Sequence, residues 1–271
     1  MGSFSVIVSQ GRVADRTDGA LRGAKRTGTA LEGLLGVEAT TVGQPSPSRE
    51  DDWSEALPAA EGTLLALRRA LSGALDEGHT PLLATNTCAA SLATLPEVAQ
   101  RIPDAVVLWI DAHSDFHTPE TTESGYLGGM VLAAACGLWE SGHGAGIDPR
   151  RVALVGARDI DPAEHRLLAD AGVTILPPGV SLAERVRAFV ADRPVWIHVD
   201  WDVLEPGYIP AAYKVPEGLR PHEVGAIFAA LPVGAVRGVE LAEFEVGEGD
   251  VPEHLSVELI VETVQKLRWG S

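Results

Sequence analysis

Short runs of apolar residues alternate along the chain with longer stretches of helical periodicity. The apolar runs are Phe4–Ser9, Pro81–Ala84, Ala105–Asp111, Val152–Val155, Val173–Leu176, Val195–Asp200 and Val236–Leu241. Most are continuously apolar, which is how strands covered on both faces of a parallel sheet read. Between them the periodicity predicts helices over Gly19–Leu34, Glu55–Asp76, Ala163–Ala171, Ser181–Ala191, Pro221–Ala230 and Glu253–Leu267. Pro162 and Pro221 stand where first-turn prolines stand. This alternation implies right-handed crossovers and an α/β fold, a three-layer α-β-α sandwich. The polar stretch from Val42 to Asp52 is the most linker-like segment, yet it is short enough to be a surface loop inside one domain. Residues 1–271 are therefore expected to form a single domain.

Composition narrows the functions open to such a fold. The formal charge is −17, from 38 acidic and 21 basic side chains. That argues against a nucleic-acid partner, since phosphate backbones are held by Lys and Arg. It suits a small cationic substrate, although a solvated acidic surface accounts for much of it. The two cysteines, Cys88 and Cys136, are too few for a disulfide framework and suit a reducing compartment. No apolar stretch is long enough to span a membrane. The start, Met1-Gly2-Ser3-Phe4-Ser5-Val6, shows neither a basic leader nor the hydroxyl residue at position 6 that Gly2 acylation requires. A soluble, cytoplasmic protein is expected.

Ligand sites in open α/β sheets lie at the carboxyl ends of the strands, so the polar residues there are the candidates. One apolar run ends in Asp111-Ala112-His113-Ser114-Asp115, another in Asp200-Trp201-Asp202, a third in Thr85-Asn86-Thr87-Cys88. Alternate residues of an extended chain share a face, which would group the acids and the imidazole of each motif. A D-x-H-x-D segment alone could be a polar loop. With D-x-D ending a second buried strand, the acids would repel one another and be costly to bury unless a cation sat among them. Five such ligands exceed what one catalytic metal usually takes, so the pattern points to two metals sharing carboxylates.

Asp111-Ala112-His113-Ser114-Asp115, followed by the segment from Phe116 to Gly125, resembles the ureohydrolase family of arginases and agmatinases. The resemblance implies a mainly parallel sheet of about eight strands, arginase-like in fold, and a binuclear manganese site that makes a bridging hydroxide. It implies that Asp111 and Asp200 bridge the metals, that Asp115 completes one metal and contacts the hydroxide, and that His113 and Asp202 hold the other. A histidine usually ends the first motif; here Cys88 stands in its place. A cysteine at a strand end is usually a small buried hydrophobe, but beside two cations a thiolate would form and bind. Sulfur favours zinc or iron, whereas the oxygen-rich remainder suits manganese.

The resemblance extends to the substrate side. The segments Asn86–Pro96, Tyr126–Met130, Gly137–Trp139 and Trp196–Gly207 are similar to the branch of the family that cleaves Nω-hydroxy-L-arginine to hydroxyurea and ornithine in D-cycloserine biosynthesis. Asp161, in Gly156-Ala157-Arg158-Asp159-Ile160-Asp161-Pro162, matches the residue that meets the substrate's α-amino group, although Asp before Pro also caps helices. Glu243 matches the carboxylate that pairs with the guanidinium, and Ser124 a position near the substrate carboxylate. His117 replaces an asparagine that assists there. Family members form trimers and hexamers, so an oligomer is admitted.

One departure bears on specificity. Arginases carry a histidine proton shuttle two residues after the equivalent of Tyr126, where this chain has Gly128. An N-hydroxyguanidine is less basic than a guanidine and easier to present to hydroxide, so the missing shuttle favours hydroxyarginine. His143 is a loop histidine that could substitute, His198 reads as core or support for Asp200, and Cys136 as packing. The alternatives are another amidinohydrolase of the family, acting on arginine or a guanidino acid, and a catalytically silent binder of a guanidino metabolite.

Overall fold

The computed structural model describes residues 3–247 and 251–270; the reading of Met1-Gly2 lies outside them. Its strands are β1 (Phe4–Ser9), β2 (Ala39–Val42), β3 (Thr80–Ala84), β4 (Val106–Ile110), β5 (Val152–Val155), β6 (Thr174–Leu176), β7 (Val195–Asp200) and β8 (Val236–Ala242). The helices are α1 (Gly19–Leu35), α2 (Trp53–Asp76), α3 (Ser91–Arg101), α4 (Val131–Ala135), α5 (Pro162–Ala171), α6 (Leu182–Val190), α7 (Pro221–Ala230) and α8 (Glu253–Val264). The strands form one eight-stranded sheet, in the order β2-β1-β3-β8-β7-β4-β5-β6. Each pairing is parallel, so every strand delivers its carboxyl end to the same edge.

The inner strands of the sheet are buried on both faces, which accounts for their unbroken apolar runs. Within β4, Val107 and Trp109 join one core with α2, α3, α4 and α5, while Val106, Leu108 and Ile110 join another with α1, α6, α7 and α8. This is the three-layer sandwich that the alternation implies.

The differences from the sequence reading have local causes. The strand β2 was not among the expected runs, because Ala39-Thr40-Thr41-Val42 is an edge strand with no fully buried residue. The helix α3 was not expected either; it carries Pro96 inside it and follows the Cys88 turn without a side-chain cap. The short α4 lies inside a segment read only for its motifs. The last helix ends at Val264 rather than Leu267. Among the described residues, no helix is long and apolar enough to cross a membrane.

Candidate functional site

The acidic motifs converge at the carboxyl edge, though not by strand alternation. Beyond Ile110 the chain leaves the extended conformation, and Asp115 adopts a positive φ of 50°. The backbone N–H of His113 donates to Asp111 Oδ1 at 2.7 Å, and that of Asp202 to Asp200 Oδ1 at 2.7 Å. Each D-x-H or D-x-D step is thus a tight turn closed by its own first aspartate, the local bonding for which Asp is suited. The second oxygens of these aspartates accept from other donors, Asp111 Oδ2 from Trp109 Nε1 at 3.0 Å and Asp200 Oδ2 from the Cys88 thiol at 3.2 Å. Asp111, His113 and Asp202 bring ligand atoms within 4.8 Å of one another; His113 Nδ1 is 3.0 Å from Asp202 Oδ2.

A second cluster joins Cys88, Asp200 and Glu243 within the same limit. Cys88 begins a single 3-10 turn after β3, so its backbone N–H has no partner within that turn. It donates instead to Glu243 Oε1 at 3.0 Å, and the thiol donates to Asp200 Oδ2 at 3.2 Å. Glu243 sits just after β8 with a φ of 62°, its N–H bonded to Asn86 O at 3.1 Å.

His198 is the residue whose importance the sequence reading understated. Strand register sets it beside Trp109 on β4 and Glu240 on β8. Its ring stacks on Trp109 at 3.7 Å, Nδ1 lies 2.9 Å from Glu240 Oε2, and Nε2 lies 3.3 Å from Cys88 Sγ. The imidazole therefore links the cysteine to a buried carboxylate that Trp196 Nε1 and Ser91 Oγ also contact. The available signal was a histidine inside an otherwise apolar buried strand, two residues before Asp200 and on its face.

The charge balance bears on what this edge can hold. Burial pushes the carboxyls of Asp115, Asp200, Asp202 and Glu243 above the usual carboxylate range, and neighbouring acids add to the effect. Burial pushes the Cys88 thiol up as well, followed by Asp200 and Asp115. Burial opposes the charged form of His113, but its bonds to Asp111 and Asp202 outweigh that and raise it. Asp115 Oδ2 is buried without a hydrogen-bond partner. Acids gathered this closely, one with an orphaned oxygen, fit a cation site of mainly oxygen donors plus one imidazole and one thiol.

The clusters line a cavity of about 230 Å³ bordered also by His117, Ser124, Tyr126, Gly128, Asp159, Asp161, Glu164 and Tyr213. Asp161 is the cap of α5, one of the two readings the sequence leaves open for it. Its Oδ1 caps α5 by accepting from the N–H groups of Ala163 and Glu164, while its Oδ2 faces His117 Nε2 at 2.9 Å. Gly128 has a steric explanation. A Cβ there would lie 2.3 Å from Tyr126 Cε1, so the phenol ring fills the space a side chain would need. The Tyr126 hydroxyl donates to Glu243 Oε1 at 3.3 Å. His143 lies elsewhere, against Arg68 and Pro96 beside α3, and does not enter this cavity.

Two side chains, the half-buried Arg158 and the buried Asp15, brace the edge. Arg158 donates to the carbonyls of Gly156, Asp202, Val203, Leu204, Val215 and Pro216, tying the turn after β7 to the loop before α7. Arg158→Ala is expected to lower stability by about 2–3 kcal/mol, because several buried carbonyls lose their donor. Urea unfolding would measure this, and a loss below about 0.5 kcal/mol would show the loop holds itself.

Asp15 ties the segment after β1 to the end of β3. It accepts from Val13 N at 2.7 Å and from Asn86 Nδ2. Burial raises its carboxyl to about 6, against the lowering effect of those bonds. The folded state therefore holds more protons than the unfolded state between about pH 4 and pH 6, and stability from this group falls as pH rises through that window. Asp15→Asn keeps an acceptor and removes the charge. It is expected to gain on the order of 2 kcal/mol over the unsubstituted protein at pH 7.5, and almost nothing at pH 4. Equal effects at both pH values would rule this out.

The family model described as "Arginase family" matches residues 34–264. The chain belongs to the arginase family. An Nω-hydroxy-L-arginine amidinohydrolase of Streptomyces lavendulae is 52% identical over 261 residues, covering 96% of each chain. An arginase of Brucella melitensis is 32% identical, covering 77% of this chain and 76% of its own. Among solved structures, the arginase of Entamoeba histolytica in complex with L-ornithine superposes with a TM-score of 0.87 at 20% identity, covering 98% of both chains. At that identity the likeness concerns the fold, and it agrees with the all-parallel arginase-family sheet described above. The family's binuclear metal chemistry has a counterpart here in the side-chain clusters around Cys88, Asp111 and Asp200.

Proposed function

We propose that this arginase-family chain cleaves the guanidino group of Nω-hydroxy-L-arginine, giving hydroxyurea and L-ornithine. The observation that carries the reading is the pairing of Tyr126 with Gly128. The phenol stands where a side chain at position 128 would project, and it reaches Glu243 rather than leaving room for a histidine. The 52% identity to the Streptomyces lavendulae enzyme over nearly the full chain supports the same substrate.

In this reading Asp111, His113, Asp115, Asp200, Asp202 and Cys88 hold two metal ions within a single domain. The oxygen-rich donor set favours manganese, and the Cys88 sulfur admits zinc or iron. When bound, the ions supply Lewis acidity and make hydroxide available near neutral pH. Glu243, fixed by the Cys88 N–H and the Tyr126 hydroxyl, pairs with the planar guanidino head and aims its carbon into the cluster. Asp115, with one oxygen uncommitted, carries a proton to the departing δ-nitrogen. Asp161 Oδ2 receives the α-amino group, and His117, its partner across the cavity, steadies that carboxylate. Ser124 marks the α-carboxylate end. The lower basicity of the N-hydroxyguanidine compensates for the missing histidine shuttle. The reduced cysteines suit a cytoplasmic enzyme, in a route that uses or discards hydroxyurea as D-cycloserine synthesis does.

The test is product analysis of manganese-loaded protein given Nω-hydroxy-L-arginine or L-arginine. Hydroxyurea should form with the higher kcat/KM. Urea from arginine at equal or greater efficiency would make the protein an arginase with a substituted ligand. Metal analysis of the purified protein tests the manganese assignment.

A further inference from the structure

The cavity leaves one problem for an amino-acid substrate. Its lining carries Asp115, Asp159, Asp161, Glu164, Asp200 and Glu243, and no Lys or Arg among the described residues. Such a lining attracts a guanidino head and an α-amino group but repels an α-carboxylate. The two lining histidines are already engaged, His113 with Asp111 and Asp202, His117 with Asp161 and Glu164.

A cation stands immediately behind the lining at the Ser124 end. Arg16, in the segment that follows β1, donates through Nη2 to the Ser124 carbonyl at 3.1 Å. Its guanidinium carbon lies 4.7 Å from the centroid of the Tyr126 ring. Its Nε is buried with no hydrogen-bond partner. Tyr213, whose ring faces both Tyr126 and His113, also feels this guanidinium. The opposite end of the Tyr126 phenol touches Glu243. One aromatic side chain thus spans from the guanidino-binding carboxylate to the arginine.

We propose that Arg16 is the specificity-determining residue that receives the substrate's α-carboxylate, beside Ser124, and so selects guanidino amino acids over guanidino amines. The assignment rests on the guanidino-amino-acid reading above. The planar fork offers donors matched to a carboxylate, and the Tyr126 phenol beneath it holds the fork against the back of the lining. His117, which the sequence places near the carboxylate, is bound to Asp161 and leaves that task open. Arg16 touches no reacting atom; its contribution is to binding and orientation.

The experiment compares two ligands that differ in the carboxylate, L-ornithine and 1,4-diaminobutane, by calorimetry on the metal-loaded protein. The unsubstituted protein should bind ornithine more tightly. Arg16→Gln should weaken ornithine by roughly ten- to hundredfold and leave 1,4-diaminobutane unchanged, while Arg16→Lys should recover part of the loss. With Nω-hydroxy-L-arginine the same change should appear in KM more than in kcat. Equal weakening of both ligands would mean that Arg16 merely props Tyr126, and this overturns the assignment. Ornithine binding undiminished in Arg16→Gln overturns it too, while the proposed reaction stands. Failure of the unsubstituted protein to bind either ligand would remove both.

Discussion

Asp200→Asn is expected to lower kcat/KM by about a thousandfold or more, and yet to make the metal-free protein more stable than its parent. Both effects come from one position. Asp200 is buried beside Asp202, Asp111 and Glu243, and burial followed by those charges disfavours its ionised form. Without metal the folded chain bears that cost, as repulsion or as the uptake of a proton. Asparagine keeps the acceptor that Asp202 N uses and removes one charge, a gain of about 1–2 kcal/mol in the metal-free state. With metal the sign reverses, since a carboxylate that neutralises cations and organises them is worth several kcal/mol in the transition state. Thermal melts with and without manganese, read beside activity, separate the two. The parent should gain much more in Tm on adding metal than the variant does. A variant that loses stability in the chelated state, or that retains a tenth of the activity, would show that Asp200 is not at the metals.

The second large effect lies outside the cavity. Helix α1 crosses the chain just past β8 so closely that a Cβ on Gly23 would lie 1.7 Å from the carbonyl oxygen of Phe244. That neighbour is backbone and cannot rotate aside. Gly23→Ala is therefore expected to lower stability by about 3 kcal/mol, at the upper end of overpacking penalties. It should also raise KM, because Phe244 adjoins Glu243 and the helix can only relax by moving that segment. Gly33, on the same helix with open space at its Cβ, is the control: alanine there should be neutral or stabilising. Denaturant unfolding of the two variants checks the contrast, and similar ΔΔG values would rule out the close approach as the cause.

Much of this architecture is legible in the sequence, for a physical reason. Strands buried on both faces must be apolar throughout, so the six inner ones stand out, and the acids at their carboxyl ends stand out against them; the half-buried edge strand β6 is read from its own apolar run. The edge strand β2 shows no such contrast. The candidate site divides along the same line. Asp111, His113, Asp115, Asp200 and Asp202 are readable because each motif is contiguous. The contacts of His198 with Glu240 and Trp109, of Tyr126 with Glu243, and of Arg16 with Ser124 join residues far apart in the chain, and only strand register and loop packing bring them together. Gly128 is intermediate: its departure from the family pattern is visible in the sequence, but the ring that fills its space is not.

The place of β8 in the sheet has a consequence for how the protein is made. The first three strands form one half of the sheet and the next four the other, and β8, near the end of the chain, is the strand between β3 and β7 that joins them. Until the ribosome has released residues 236–242, each half has an open parallel edge and the strand ends carrying Cys88 and Asp200 have nothing to hold them side by side. Pairings this distant in sequence form slowly, and exposed edges invite association with other chains. Nascent chains that stop before β8 should therefore depend on chaperones, and metal capture should await the synthesis of β8.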